Sequence, residues 1–583
     1  MTVENGSPPA PGPRTAAKRL ALVGGVLVLS WLALGFKMYT VQVVEDDGYA
    51  ARGLRQRLSI REVLPERGEI FDRNGEALAL TVLGASLFAI PSEIEDPVLI
   101  AQQVGARVGA DIDRLVADLR SEKDFVYIKR QLEVDVAEEI LNLGYAGVYS
   151  EPESKRIYPS WVASQVLGMV NVDGTGIEGL EYRYEDELGG QPGRAVVEQD
   201  VKGRQIPTGQ SEITEAVPGL DLVTTLDLLL QYSLMEACRD GVARTAAEQC
   251  WAVALEVKTG EVLALGGVPA FDPERRASED GSGFSNFAIR GLYEPGSIQK
   301  TVTIAAALDT GTWRASDLIP EVPYEIEIFP DACEDPDDEI YGCYRNFTLH
   351  EPTDMTVADI FVHSSNVGTI MVQEQLSRGV LAGYIEEFGL GSPTGIDFSG
   401  EAKGLLNLDP SCSTCLASAA IGYSVAVTPI QMAAAFGAVA NDGVWIQPHL
   451  VKALVTEDGA RRPAEIARRR VIDAETARIM RLLLADTVSK GTGQAAAVPG
   501  FEVGGKTGTS SKLGFDGYEE ELNIASFVGM APIEDPEVVV MVVIDGPTRP
   551  EYRTGGSAAA PVFSEIMEVA LRRLGEIPNE PGT

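Results

Sequence analysis

The sequence predicts a multidomain α+β protein tethered at its N-terminus by a transmembrane helix. Three observations carry that expectation. The chain has 583 residues, more than one hydrophobic core ordinarily serves. Its first fifty residues contain an uncharged run, Leu20 to Phe36, of membrane-spanning character. Beyond that run, short β-like segments alternate with amphipathic helical ones, and an apolar content of 45% is that of a globular chain.

Arg14, Lys18 and Arg19 precede the apolar run, and Met38 to Val44 extend it beyond Lys37. Together they supply the roughly 20 residues that a hydrocarbon layer requires. Basic residues before the run and Glu45-Asp46-Asp47 after it orient the tail to the cytoplasm and the bulk of the chain outside. No small-x-small cleavage site follows, which favours an anchor over a cleaved signal; both export the chain. Export gives the six cysteines an oxidising compartment. They fall as neighbours, Cys238 with Cys250, Cys333 with Cys343 and Cys412 with Cys415, and three local disulfides are expected. A zinc site from the last four is the weaker alternative, since only Cys412-x-x-Cys415 has knuckle spacing. A net charge of −38 argues against nucleic acid and against adhesion to anionic lipid. His350, His363 and His449 show no ligand spacing, so neither a catalytic metal nor a cofactor is expected.

The expected organisation is a cytoplasmic tail (1–17), an anchor (18–44), a scaffold domain (45–218), a larger domain (219–575) and a disordered tail (576–583). In the scaffold, Leu58 to Leu64 and Ala77 to Val82 read as strands, with Asn74-Gly75 as a hairpin turn before the second. Asp111 to Arg120 and Val134 to Leu143 read as amphipathic helices, and Arg67 and Glu178 are candidates for a structural ion pair. Past Pro218-Gly219, Leu222 to Leu226 is strand-like and Leu228 to Cys238 helical. Trp251 to Val257 and Glu261 to Gly266 are antiparallel partners about Lys258-Thr259-Gly260. The acidic stretch from Pro320 to His350 reads as a surface insertion. Ile524 to Ala531 is a strand, and Val538 to Ile544 is apolar enough for a strand buried on both faces.

Three polar clusters stand out. Glu294-Pro295-Gly296-Ser297-Ile298-Gln299-Lys300 runs from turn residues into an Ala-rich helix. That places Ser297 where free N–H groups favour an oxyanion, with Lys300 three residues on along the same face. A lysine beside a serine serves as its general base if burial lowers its pKa. Ser364-Ser365-Asn366 interrupts a helical neighbourhood, as a loop or a helix cap. Lys506-Thr507-Gly508-Thr509 follows Phe501 to Gly505 into a strand context. Each alone is weak; in this order, in an exported chain, they form the signature of penicillin-binding proteins and class A β-lactamases.

The resemblance reaches from the membrane segment to about Leu574. The chain resembles a class B penicillin-binding protein, a membrane-anchored peptidoglycan D,D-transpeptidase. Arg67-Gly68-x-Ile70-x-Asp72-Arg73-Asn74-Gly75, Arg156 to Pro159 and Gly176 to Glu181 match that family's pedestal, and Asn286 to Lys300 matches its approach to the nucleophile. The resemblance implies an elongated α+β pedestal and a serine transpeptidase domain whose antiparallel sheet is flanked by helices. It implies that Ser297 acylates on a D-alanyl-D-alanine stem peptide or a β-lactam, with Lys300 as base. Ser364 and Asn366 complete the proton relay, and Lys506, Thr507, Gly508 and Thr509 bind the substrate carboxylate. The oxyanion hole would be the backbone N–H groups of Ser297 and Thr509. Ile421-Gly422-Tyr423-Ser424-Val425-Ala426-Val427-Thr428-Pro429 is similar to the division-type pattern, with Ser424 in place of its usual glycine. Ala525 to Gly529 and the Gly555-Gly556 to Pro561-Val562-Phe563 ending also suit that type.

Neither a glycosyltransferase-like domain nor wall-binding repeats are expected, so the implied partner is a polytopic glycan polymerase of the shape–elongation–division–sporulation family, with other division proteins. The competing readings are an elongation-type transpeptidase, a carboxypeptidase or β-lactamase-like hydrolase and a penicillin-binding sensor. A hydrolase needs a positioned carboxylate to activate water, and a sensor needs a signalling domain that the short N-terminal tail cannot form.

Overall fold

The computed structural model describes residues 13–44, 57–198, 206, 211–273, 285–334, 342–377, 379–409, 411–514 and 517–578. The acidic flank Glu45-Asp46-Asp47, the acidic residues Asp335, Asp337, Asp338 and Glu339, and the outer parts of both tails lie outside the described residues.

Contacts divide the chain into two units. The first comprises Met1–Pro65 and Gln191–Val217. It holds helix α1 (Pro13–Tyr39), long and apolar enough to cross a membrane and exposed along its length. It also holds an antiparallel sheet in which Gly193–Glu198 lies between Leu58–Val63 and Ser211–Thr214.

The second unit comprises Glu66–Gly190 and Pro218–Thr583. In its N-terminal part, strand β1 (Ala77–Ala89) runs antiparallel to both β2 (Val126–Leu132) and β3 (Val148–Ile157). Helices α2 (Ile112–Leu119) and α3 (Val134–Leu141) contribute Leu115 and Ile140 to a core with Leu87, Val126, Ile128 and Val148. The turn before β1 forms at Asn74-Gly75: Gly75 takes φ 91°, and Asp72 Oδ1 accepts the N–H groups of Asn74 (2.7 Å) and Glu76 (2.9 Å). Strand Ile70–Phe71 joins β1 to Asp221–Thr224 and then Val451–Val455, so one sheet carries strands from both sides of residue 218.

The expected Arg67–Glu178 pair does not form. Arg67 Nη2 lies 2.7 Å from Glu181 Oε2 and its Nη1 2.8 Å from Glu185, while Glu178 pairs with Arg290 at 2.6 Å. The chain turns through Gly179 (φ 65°) from the short strand Gly176–Glu178 into the helical turn Gly179–Arg183. That turn sends Glu181 into the interior, where Arg156 Nε also meets it at 2.7 Å, and leaves Glu178 half-buried.

Beyond residue 218, helix α4 (Leu228–Thr245) precedes a five-stranded antiparallel sheet built from β4 (Gln249–Glu256), β5 (Val262–Val268), β6 (Gly504–Gly514), β7 (Gly517–Ala531) and β8 (Val538–Asp545). Its order is β5-β4-β8-β7-β6, which puts β8 in the middle and β6 at an edge. Alternation along the strands sends Val253, Leu255, Val528 and Met541 to one face. Helices α5 (Lys300–Asp309), α6 (Asn366–Glu374), α7 (Ser413–Ile421) and α8 (Pro429–Ala440) share the core on that side, with α8 lying directly against the sheet. Ala252, Phe527, Val540 and Val542 face α4 and α9 (Gly555–Leu574). Strand β8 is thus covered on both faces, as its continuous apolar run requires.

Disulfides join Cys238 of α4 to Cys250 of β4, Cys333 to Cys343, and Cys412 to Cys415 across the first turn of α7.

Candidate active site

Ser297 lies in the tight helical turn Gly296–Gln299 that opens α5, where the first N–H groups have no acceptor within the helix. Gly296 takes φ 53°, and a Cβ there would lie 2.7 Å from Thr509 O. On its other side Gly296 N donates to Gly422 O (3.2 Å), and a Cβ on Gly422 would lie 2.0 Å from Gly296 O. The turn is therefore wedged between strand β6 and the end of α7. Two glycines make that approach possible.

Lys300 is 0% exposed. Its Nζ donates to Ser364 O and to Asn366 Oδ1, both at 2.6 Å, and lies 3.2 Å from Ser364 Oγ. Burial, and then the charge of Lys506, hold the Lys300 amine well below the usual lysine range. A neutral amine has two N–H bonds and one lone pair. The two short contacts use the N–H bonds, which leaves the lone pair for a hydroxyl.

Ser364 takes φ 60°, a left-handed conformation that a serine adopts at a cost of about 1–3 kcal/mol. It sits between the helix Val357–Val362, capped by Thr356 and Asp359, and α6, whose N-cap Ser365 accepts from Gly368 N. This reversal aims both oxygens of Ser364 at lysines: Lys506 Nζ donates to Ser364 Oγ at 2.9 Å. Lys506, also 0% exposed, pairs with Val528 across β6 and β7, and burial lowers its amine to about 7.

Further along β6, Thr507 Oγ1 lies 2.8 Å from Thr492 Oγ1, and Thr509 Oγ1 accepts from Gly555 N (3.1 Å). Gly508 packs its backbone against the nucleophile's turn, since a Cβ there would lie 2.6 Å from Pro295 O. A cavity of about 670 Å³ is lined by Ser297, Ser364, Asn366, Thr507 and Thr509 among others.

The structure thus brings Lys300, Ser364, Asn366 and Lys506 into direct contact and places Ser297, Thr507 and Thr509 on the same cavity wall. Lys300 does not meet Ser297 by hydrogen bond, and the Ser297 hydroxyl has no partner among the described residues. Sequence reading missed Asn346, Thr492 and Asn523 on the lining, none of which lies in a recognisable pattern. Tyr423 also lines it, from the Ile421 to Pro429 segment. There Ser424 takes φ 62°, a conformation suited to the glycine it replaces in the family pattern.

Residues 250–568 match the model of the penicillin binding protein transpeptidase domain, and residues 62–224 that of the penicillin-binding protein dimerisation domain. The chain is 32% identical to stage V sporulation protein D of Bacillus subtilis over 97% of its own length and 87% of the relative's. It is 33% identical to a probable peptidoglycan D,D-transpeptidase, PenA, of Neisseria meningitidis, over 98% of this chain and 95% of the other. Among solved structures, penicillin binding protein 3 of Mycobacterium tuberculosis complexed with aztreonam superposes with a TM-score of 0.69 at 26% identity, covering 89% of this chain and 98% of that one.

Proposed function

The chain belongs to the class B penicillin-binding proteins, and from that premise we propose that it cross-links peptidoglycan as a serine D,D-transpeptidase, with Ser297 as nucleophile. The carrying observation is the hydroxyl of Ser364, held between two fully buried amines on the wall that also bears Ser297.

The reaction follows from that arrangement. Neutral Lys300 takes the proton of the Ser297 hydroxyl as Oγ bonds to the carbonyl carbon of the penultimate D-alanine. The carbonyl oxygen becomes an oxyanion facing the N–H groups of Ser297 and Thr509. The Ser364 hydroxyl carries the proton from Lys300 to the departing amine, the terminal D-alanine leaves, and Ser297 holds the acyl group. An acceptor amine then attacks the ester, returns its proton along the same path and frees Ser297. Protonated Lys506 supplies positive charge toward the substrate's terminal carboxylate, with the hydroxyls of Thr507 and Thr509 as donors. With a β-lactam the ring C–N bond breaks instead, and the tethered amine stays at the site.

The cavity supports the transferase reading over a hydrolase that relies on a carboxylate. Among the described residues its lining contains no aspartate or glutamate to activate water.

The anchor α1 supports attachment to the cell membrane with the N-terminus inside and the catalytic unit outside. The Gly422 to Pro429 segment supports a role in septal wall synthesis, and family membership a glycan polymerase as partner. A fluorescent penicillin tests the core of this reading. One adduct per chain is expected, absent from Ser297→Ala, and persistent labelling of that variant would falsify the nucleophile.

A further inference from the structure

The strand Cys343–Arg345, which pairs with Glu325–Glu327, lies outside all three motifs and yet reaches the loop that carries Ser364 and Asn366. At its end Asn346 is 7% exposed and bonded at both ends of its side chain. Its Oδ1 accepts from Ser365 Oγ (3.0 Å) and from Val367 N (3.2 Å), the two neighbours of Asn366. Its Nδ2 donates to Pro323 O (3.2 Å) and to His350 Nε2 (2.9 Å).

These contacts admit one orientation of the amide. Turning it over would set N–H groups against the Val367 N–H and a carbonyl against Pro323 O. The orientation also requires an unprotonated His350 Nε2, so the imidazole proton sits on Nδ1 and donates to Glu351 O (2.8 Å). The backbone of Asn346 is tied down as well, its N–H donating to Tyr324 O at 2.9 Å. Beside it, Arg345 O accepts from Asn366 Nδ2 (2.8 Å), which leaves Asn366 Oδ1 facing Lys300 Nζ at 2.6 Å.

The dipeptide Arg345-Asn346 therefore receives hydrogen bonds from three consecutive residues, Ser365, Asn366 and Val367. Immediately before them Ser364 holds its left-handed φ of 60°. A strained residue of this kind persists only where its surroundings over-determine it. Ser365 also caps α6, so the same side chain couples the helix start to Asn346.

We propose that Asn346 is a positioning residue for acylation: its amide clamps Ser365 and Val367 so that Ser364 and Asn366 stay aimed at Lys300. This rests on the reading of Ser297 as the acylated nucleophile. Asn346 transfers no proton. It holds the relay at the distance where transfer is fast, and small displacements there are costly.

The test is stopped-flow acylation by a fluorescent penicillin, resolving non-covalent affinity from the first-order acylation step, with a melting curve for each variant. Asn346→Ala is expected to slow the acylation step roughly 10- to 100-fold while affinity changes little. Asn346→Asp keeps an acceptor oxygen toward Ser365 and Val367 but sets its second oxygen against Pro323 O, so it is expected to recover part of that rate. If Asn346→Ala does not fold, Ser365→Ala removes the donor side of the same bond and is expected to slow the step. An unchanged acylation step in Asn346→Ala, or equal loss in Asn346→Asp, overturns the clamp and leaves the transpeptidase reading intact. A rate that falls only in proportion to the unfolded fraction also overturns it. Wild-type labelling at a residue other than Ser297 overturns both.

Discussion

Lys300 and Lys506 converge on a single hydroxyl, Ser364 Oγ, which lies 3.2 Å from one nitrogen and 2.9 Å from the other, and both lysines are fully buried. Two ammonium ions so placed repel each other in a medium that screens them poorly. One proton between them is the favoured state near neutrality. Burial and the charge of Lys506 both push Lys300 down, whereas burial alone acts on Lys506. The arrangement therefore divides labour, with a neutral base at Lys300 and a cation at Lys506.

That division makes acylation dependent on pH in both directions. As pH rises, Lys300 loses its proton and the rate rises; as Lys506 titrates near about 7, the positive charge facing the substrate carboxylate is lost and the rate falls. The expected profile of the second-order acylation constant is a bell with its alkaline limb beginning near about 7. In Lys506→Arg the guanidinium stays charged, so the alkaline limb should vanish, with a lower maximum because the larger head fits the site poorly. A monotonic rise in the wild type would contradict this assignment.

The same burial acts on stability. A lysine whose folded-state pKa lies below its unfolded value destabilises the fold while it must carry a proton, and the penalty lifts as pH rises. For Lys506 that window runs from about 7 to the ordinary 10.5. Lys506→Met has no such penalty, so it is expected to melt higher than the wild type near neutrality, by a few kcal/mol at most. The gap should close as pH approaches the upper end of the window. A constant gap across melts at several pH values would show that the amine is not desolvated as described.

Glu181 shows the opposite case, a buried charge that holds others. It is 0% exposed and meets Arg67 and Arg156, each at 2.7 Å. Glu181→Ala leaves two guanidinium groups facing each other without their shared carboxylate. The expected loss is about 3–5 kcal/mol in urea unfolding. Arg290→Ala removes the half-buried partner of Glu178 and should cost about 1 kcal/mol or less. Equal costs would mean that the turn at Gly179 does not separate the two carboxylates as it does here.

The contrast between Glu178 and Glu181 shows which features were legible in the sequence. Ser297, Lys300, Ser364, Asn366 and Lys506 stood out because each chemistry-bearing type occurs in a local context that announces itself, a helix start, an interrupted helix or a strand. The antiparallel pairing of β4 and β5 and the double burial of β8 were readable for the same reason, since period and turn residues are local. The partner of Arg67 was not, because three residues along the chain exchange an inward for an outward direction. Nor was Asn346, whose importance lies in a loop reached only after the chain has folded back. The stretch around it reads as acidic surface, and its charge pattern conceals a buried amide.

Gly422 is a position where geometry outweighs chemistry. It takes φ 92°, and a Cβ would lie 2.0 Å from Gly296 O, against backbone that has nowhere to retreat. Gly422→Ala is expected to cost more than about 1 kcal/mol in stability and to displace the Ser297 turn from β6. Its readout is therefore double, a lower melting temperature and a slower acylation step in the fraction that remains folded. Gly575, at φ 86° with nothing within 4 Å of its Cβ position, is the control: alanine there should cost a comparable backbone penalty and leave acylation unchanged. Equal acylation in both variants would show that the Gly296–Gly422 contact does not set the nucleophile.

The disulfides should separate by their surroundings. Cys238 and Cys250 are 0% exposed within the core between α4 and β4, whereas Cys412 and Cys415 are half-buried at the start of α7. Reduction requires a thiolate to reach a sulfur. Under a mild thiol reductant in native buffer, Cys412–Cys415 is therefore expected to open first and Cys238–Cys250 only on unfolding. Loss of the buried bridge should cost about 2–4 kcal/mol, because it closes the longer loop and its sulfurs fill core volume. Differential alkylation followed by mass spectrometry reads the order directly. If Cys238 and Cys250 were alkylated as early as the α7 pair, the packing of α4 and α9 over the sheet would have to open far more readily than this core allows.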